Sequence, residues 1–490
     1  MKDWTELAAT SDALVVHVST GGDDANDGLS PARPRRTIAA GVALLRHGHP
    51  DHLRLRRGDV FEGESLGHWK KSGRSARLPM VVSTYGEDPR RPRLLTPADG
   101  VWTNGGGGSP ATIENLAIVG LSLRPRTYTG GGDVVGVRML QPGANILIED
   151  CEVSGFSTNL VLQAWDGRLA NYSVRRCVIS DAYVDHARSG EHAQGLYAYG
   201  VDHLLLEENV WDHNGWNELV PGAGADIYSH NLYIDNDCTS VRVRGNVIAR
   251  AASHGMQLRC GGQVFGNLFL RNSINLSVGM GNTPEPLGVL VECIGNLILD
   301  GKDIDERNPR GWGLQVGNVS GGRILYNGIL GNRGGTQPDM LTVDGARDLE
   351  IADNVIADWG GSVTIAGDAA RNRRIVFRRN RIGGRGDAPL VRHVEASTAT
   401  SAVLRSTGNR FSVARGEPWF EVAGERRTLE QWTALTEDAR SRAVDPIGAL
   451  ALGEDLEEFM HHAREQSRVH WDPTHTAFGK IERVRAENFL

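Results

Sequence analysis

The chain is poor in cysteine, has no basic stripe and no long apolar run, and each lack narrows its class. Its five cysteines, at 151, 177, 238, 260 and 293, are an odd number and form no C-x-x-C pair. That argues against a disulfide framework and against a thiolate metal site. Nowhere do about 18 apolar residues follow one another, so no segment reads as a membrane-spanning helix. The opening residues, MKDWTELAATSDALVV, lack the basic segment and apolar run of a secretory signal. The chain as given is therefore expected to be soluble, without a membrane partner. A formal charge of −7 and a pI near 6.2 argue against a general nucleic-acid binder. An acidic polysaccharide remains compatible where positive charge is local.

Present instead is one short phrase repeated ten times: apolar, any, apolar, two polar or small residues, Asn, apolar. It reads VRVRGNVIA around Asn246, LEIADNVIA around Asn354 and IVFRRNRIG around Asn380, with variants closing on Asn209, Asn267, Asn296, Asn327 and Asn409. Two earlier copies carry Cys151 and Cys177 in place of Asn. These two are expected to be small core residues of adjacent units, near enough to touch. Successive copies lie 26, 32, 37, 21, 29, 31, 27, 26 and 29 residues apart, so each is one structural unit stacked on its neighbour.

The units are built of strands, because their apolar residues alternate and are rich in β-branched side chains, as at Val241 and Val243 or Leu349 and Ile351. A unit of this length holds two or three short strands and tight turns. That predicts an all-β chain, a right-handed parallel β-helix solenoid whose coils stack at the strand spacing of about 4.7–4.9 Å. The recurrent Asn is expected in a turn, bonded to its equivalents above and below and tolerating a left-handed backbone.

The segment VHVSTGGDDANDGLSPARPRRTIAAGVALLRHG, followed by LRLRRGDVFEG, resembles the opening of many right-handed parallel β-helix proteins of the polysaccharide-lyase, pectate-lyase-like superfamily. A helix beginning after Pro34 and Thr37, Ile38 to Leu45, is expected to cap the apolar end of the solenoid. From 430 the pattern turns helical and resembles the tail of bacterial β-helix depolymerases, with His461, His462 and His470 expected at the surface. The expected organisation is a cap with first coils at 1–100, a coil core with a groove at 101–428, and a short helical extension at 429–490. The resemblance implies a secreted or periplasmic protein acting on a glycan.

Aligning the strand before each phrase gives a second register: QGLYAYG (194–200), HNLYIDN (230–236), HGMQLRC (254–260), INLSVGM (274–280) and WGLQVGN (312–318). Leu196, Leu232, Met256, Leu276 and Leu314 share an inward column. Alternation sends Tyr197, Tyr233, Gln257, Ser277 and Gln315 outward, with Tyr199, Asp235 and Arg259 in a second outward column. The two longest intervals come from insertions at 181–193 and 216–229, which lead into the strands of Tyr197 and Tyr233 and are expected to wall a groove. Histidine is concentrated here too, with His186, His192, His203, His213, His230 and His254 being six of the sixteen. Parity places His230 and His254 on the inward side unless the turn rotates them.

A groove with Tyr, His, Gln and Arg suits an acidic, uronate-containing polysaccharide. Tyr stacks on sugar faces, while Arg and Gln bind a carboxylate. β-Elimination is then the expected chemistry: a base removes the C5 proton, a cation neutralises the carboxylate, and an acid protonates the leaving oxygen. The candidates for these roles are Tyr233, His230, His254, Arg259 and Tyr197. Binding candidates are His192, Tyr199, Asp235, Gln257, His213, Trp216 and Gln315. The pairing of acid and base stays open between Tyr233 with His230 and His254 with Tyr197.

Many superfamily members use Ca²⁺ as the neutraliser, for which Asp235 and Asp237 are weak candidates; Asx turns compete for Asp23, Asp24 and Asp27 and for the LDGKDIDER carboxylates. No Lys or Arg pair occupies the outward columns of these five strands, so the Arg or Lys base of calcium-dependent pectate lyases does not carry over. A rival reading is a glycoside hydrolase, which needs two facing carboxylates. Asp235 would then need Glu191, Glu218 or Asp226 from the loops. A C5-epimerase shares the proton abstraction, and a non-catalytic carbohydrate-binding solenoid is the alternative of a different class.

Overall fold

Alternating β-branched residues fold into short parallel strands, three to a coil, which we call entry, middle and closing strands. The computed structural model describes residues 4–104, 108–280, 288–332, 334–413, 416–445 and 455–489. The chain divides into two compact units: Met1–Gly224 with Asp237–Ser240 and His461–Asp472, and Ala225–Asn236 with Val241–Met460 and Pro473–Leu490. Among the described residues, no helix is long and apolar enough to cross a membrane.

In the first unit the entry strands Val101–Thr103, Val135–Met139, Thr158–Gln163 and Gln194–Tyr199 pair in parallel. So do the middle strands Ile113–Val119, Gly143–Glu149, Leu169–Arg175 and Val201–Glu207. The closing strands Ser122–Pro125, Glu152–Ser154, Val178–Ser180 and Val210–Asp212 complete the coils. Val137, Leu160 and Leu196 stack inward and are buried. Such stacking leaves water little access to the apolar columns, at roughly 25 cal/mol per Å² of apolar surface removed. The helix Ile38–Leu44 begins at Thr37, whose hydroxyl accepts from the Ala40 N–H at 3.2 Å. Gly41 lets it sit close, since a Cβ there would lie 2.5 Å from Val18 Cγ2 and 2.8 Å from Leu53 Cδ1.

The turn between middle and closing strands carries the repeated phrase. In the first unit the Cys151 N–H points at Cys177 Sγ (3.4 Å), and the Cys177 N–H donates to Asn209 Oδ1 (3.0 Å). Both thiols are buried and free. Burial pushes the Cys177 thiol well up, so it stays protonated. In the second unit the amide ladder is continuous. Each of Asn246, Asn267, Asn296, Asn327 and Asn354 donates backbone N–H and side-chain Nδ2 to the Oδ1 of the next, and Asn380 does so to Asn409, at 2.9–3.1 Å.

One expectation fails here. The left-handed residue is not the Asn but the one before it: Gly245, Gly266, Gly295, Tyr326, Asp353, Arg379 and Gly408 all have φ between 53° and 68°. The chain must bend at that residue for the next side chain to point inward, so the strained position and the ladder position are neighbours. Left-handed asparagines form a different ladder, in the first unit, where Asn145 and Asn171 (φ 61° and 57°) bond Asn115 and Asn145.

The second unit stacks entry strands His230–Ile234, His254–Leu258 and Ile274–Val278, the first half of Trp312–Leu325, then Leu341–Ala346, Val363–Ala366, Val391–His393 and Phe420–Val422. The helix Leu429–Thr436, closed by a Thr428–Gln431 capping box, brings Trp432 onto Phe420 (4.7 Å, stacked) and Phe411 (5.6 Å, edge-on). The helix Ala477–Phe489 packs beside the strand Leu268–Asn272, and Gly266 leaves room for Phe478. In the first unit, Arg464 bonds Asp181 (2.8 Å) and Asp212. His461 and His470 are exposed, and His462 is partly so.

Candidate functional site

The entry strands of the second unit put one residue per coil outward in register: Tyr233, Gln257, Ser277 and Gln315. Met256, Leu276 and Leu314 lie inward and are buried. Beside this column, Arg259 lies over the Tyr233 ring with its guanidinium carbon 4.6 Å from the centroid. It also faces Asp235, 3.6 Å from Nη1 to Oδ2, with both side chains about one-tenth exposed. At that distance the ion pair is loose, and Arg259 Nε is buried without a hydrogen-bond partner.

His230 and His254 turn to this face. The His230 ring meets Tyr233 edge-on at 5.5 Å and His254 edge-on at 4.7 Å. Strict parity puts them inward unless the turn rotates them, and at His230 the inward side is taken by Asn231. Asn231 is fully buried, with Nδ2 donating to the Ala249 carbonyl at 2.7 Å, so the inward side at the strand entry is filled by an amide. The histidines are displaced to the groove edge. The His254 backbone N–H donates to His230 Nδ1 at 3.3 Å, and Ser253 Oγ stands 3.2 Å from His254 Nδ1. His230 is only 5 % exposed, whereas His254 is partly open to solvent.

Electrostatics separates the rings further. Burial, with the Arg259 and Arg310 charges, pushes His254 down to about 3, so its ring is neutral at working pH. Burial pushes the Tyr233 hydroxyl up to about 12, so it keeps its proton. Arg310, whose Nε is buried without a partner, lies 4.6 Å over the Trp312 ring. Trp312 aligns with Ile274, and Ile274 with His254. Arg310 and Trp312 escaped the sequence reading because they lie outside the column argument, one in a loop and one at a strand entry.

The other expected residues lie in the first unit. Tyr197 is half-buried and aligned with Val161; Tyr199 is exposed and aligned with Gln163; His192 is exposed. His213 has both ring nitrogens engaged, Nδ1 on Asp181 (3.0 Å) and Nε2 on Glu218 (3.1 Å), and Trp216 packs on its ring at 4.2 Å. A ring held at both ends serves its own loop.

The outward column also runs on past the five aligned strands, from Gln315 to Thr342, Thr364, Arg392 and Glu421. Its signal was in the sequence, in LTV (341–343), VTI (363–365) and VRH (391–393), where a polar residue sits between two apolar ones.

The carboxylates do not fit Ca²⁺. No group of three or more His, Cys, Asp or Glu able to hold a metal occurs among the described residues. Asp235 faces Arg259 and Asp237 bonds Arg168. Asp24 accepts from Arg36 N, Thr37 N and Thr37 Oγ1, while Asp23, Asp27 and Asp305 close turns on nearby backbone N–H groups. Of the loop carboxylates, Asp226 caps its own turn at Tyr228 and Ser229, Glu218 holds His213, and Glu191 is exposed.

Residues 99–286 match the family model described as "Right handed beta helix region". No curated protein matches the chain. Among solved structures, a mannuronic acid specific polysaccharide family 6 lyase from human gut microbiota is 11 % identical with a TM-score of 0.45, covering 89 % of this chain and 94 % of that one. The mannuronan C-5 epimerase AlgE6 A-module of Azotobacter vinelandii is 13 % identical with a TM-score of 0.38, over 81 % and 91 %. A GH136 lacto-N-biosidase from Eubacterium ramulus is 14 % identical with a TM-score of 0.36, over 88 % and 67 %. None of these likenesses bears on the reaction. With its parallel coils, inward apolar columns and amide ladder, the chain is an all-β, right-handed parallel β-helix protein.

Proposed function

We propose that this protein is a polysaccharide lyase that cleaves an acidic, uronate-containing glycan by β-elimination in the groove of Tyr233, His254, Arg259 and Arg310. The observation that carries this reading is the pair of guanidinium groups with unpartnered Nε atoms beside a neutral, partly open histidine. A substrate carboxylate between Arg259 and Arg310 would take up their free donors and offset the charge that holds His254 down. Binding would then raise the basicity of His254 where it is needed.

In this reading His254 takes the C5 proton. The C5–H electron pair becomes the C4=C5 double bond, the C4–O bond breaks, and the Tyr233 hydroxyl gives its proton to the leaving oxygen. Arg259 and Arg310 hold the negative charge that gathers on the carboxylate. His230 is a positioning residue, packed edge-on against both rings. Gln257 and Gln315 bind along the column, and the Trp312 face offers a platform for a sugar.

The test is incubation with polymannuronate and polygalacturonate, following the ultraviolet absorbance of an unsaturated uronate alongside new reducing ends. Both should appear together, and Tyr233→Phe or His254→Ala should abolish both. New reducing ends without the double bond would make the protein a hydrolase; neither signal on a broad panel of acidic glycans would overturn the enzyme reading.

A further inference from the structure

In the second unit, three arginines away from the entry strands pair with a carboxylate of the previous coil. Arg374 bonds Asp348 at 2.5 Å, Arg379 bonds Asp353 through Nε at 2.7 Å, and Arg378 bonds Glu350 through Nε at 2.6 Å. Arg392 departs from that habit. It lies in the outward column with Thr364 and Thr342, and its nearest carboxylate, Asp339, is 4.0 Å from Nη2, too far for a hydrogen bond. Arg392 Nε, Thr364 Oγ1 and Thr342 Oγ1 are buried with no partner at hydrogen-bond distance, although both hydroxyls lean toward the Asp339 carboxylate and favour its charged form; Thr364 is only 3 % exposed. Buried hydroxyls and guanidinium nitrogens are normally bonded, and an orphan Nε on one ladder with two hydroxyls that only lean toward a carboxylate marks a place that an oxygen-rich ligand completes.

We propose that Arg392, Thr364, Thr342 and Asp339 form a second glycan subsite, holding the carboxylate and hydroxyls of a uronate unit distant from the bond that breaks. The proposal rests on the acidic-glycan reading of the groove and extends it along the same column. Gln257 and Arg392 are separated by five strand steps, through Ser277, Gln315, Thr342 and Thr364. At the usual spacing that is about 24 Å, the reach of a chain of several sugars. Arg392 supplies a planar fork for a carboxylate and the threonines donate to ring or hydroxyl oxygens. Burial pushes the Asp339 carboxyl above its ordinary value, while Arg392 and the two threonines oppose that rise. The three arginine pairs of the neighbouring faces close at hydrogen-bond distance, whereas Arg392 stands 4.0 Å from Asp339.

The experiment is affinity electrophoresis of the full chain in gels containing polymannuronate, polygalacturonate or neutral dextran, alongside turnover of long polymer and of short uronate oligomers. Wild type should be retarded by at least one polyuronate and not by dextran. Arg392→Ala and Thr364→Val should each lose most of that retardation and raise KM for long polymer about 10-fold or more, as loss of a charge-assisted bond implies. Turnover of the shortest oligomers should be unchanged, and Arg392→Lys should recover part of the retardation. A thermal unfolding midpoint equal to wild type identifies the Thr364→Val protein as folded. Wild-type mobility unaffected by either polyuronate, or variants as strongly retarded as wild type, overturns the subsite. Retardation without elimination products sinks the lyase reading and leaves the subsite standing; products with no effect of Arg392 or Thr364 does the reverse.

Discussion

The outward ladder of the first unit runs His68, Trp102, Arg138, Val161, Tyr197, and that of the second runs Tyr233, Gln257, Ser277, Gln315, Thr342, Thr364, Arg392. The backbone geometry is the same in both. In the first, His68 stacks on Trp102 and Arg138 is closed off by Asp99 (2.7 Å) and Asp133 (2.9 Å). In the second, Arg392 keeps a buried Nε without a partner, as do Arg259 in the column beside it and Arg310 at the groove edge. The difference teaches that an exposed charged column is not by itself a site. Charge already answered by its own coil stabilises the coil, and charge left unanswered waits for a ligand.

The sharpest way to break this comparison is to remove one arginine from each unit. Arg259→Ala should lower turnover of polyuronate about 10²–10³-fold in protein that remains folded, as removal of a preorganised charge does. Arg138→Ala should do the opposite, losing about 1–3 kcal/mol in denaturant unfolding because Asp99 is left partly buried, with turnover of the folded protein kept. Equal turnover in Arg259→Ala and wild type would place the chemistry elsewhere.

The inward ladders differ between units as well. Asn296 bonds Asn267 N and Nδ2, the Val264 carbonyl and Asn327 Oδ1. Asn296→Leu should therefore destabilise by about 2–4 kcal/mol in equilibrium unfolding. Cys177→Ala in the first unit should cost only about 1 kcal/mol, because a thiol makes weak hydrogen bonds. Similar costs would mean that the amide bonds add nothing beyond packing.

A smaller effect is expected with pH. His254 sits well below its ordinary value of 6.5 when folded, at about 3. Between those values the unfolded chain takes up a proton that the folded ring refuses, so this histidine's contribution is full above pH 6.5 and is lost as pH falls toward 3. His254→Gln should flatten that part of the stability profile; an unchanged acid limb would show that His254 titrates normally. Smallest of all, His213→Ala should cost under about 1 kcal/mol, since its carboxylate partners are largely solvated or shared, and should leave turnover at the wild-type rate. A large loss of turnover there would move the site into the first unit.

Much of this was legible in the residues because strand alternation has a period of two and the phrase recurs. The inward columns, the ladder asparagines and the outward Tyr233, Gln257, Ser277 and Gln315 all follow from counting. Counting failed at the bends. It assigned the left-handed backbone to Asn rather than to the residue before, and it left open whether the turn rotates His230 and His254 away from the core, which at His230 Asn231 fills. Arg310 and Asp339 come from loops with no period to follow, and Arg392 was missed because the alignment stopped at 318.

The sequence by itself determined that this chain coils, where each coil begins, and which side chains share a column. Those are properties of a local repeat, and neighbouring coils impose them again at every turn. Only the tertiary structure decided which charges are answered. Arg138 and Arg392 hold like positions in their outward ladders, and what separates them is the distance to a carboxylate, 2.7 Å in one case and 4.0 Å in the other. That distance is set by how turns and loops place side chains across coils, and no pattern along the chain records it.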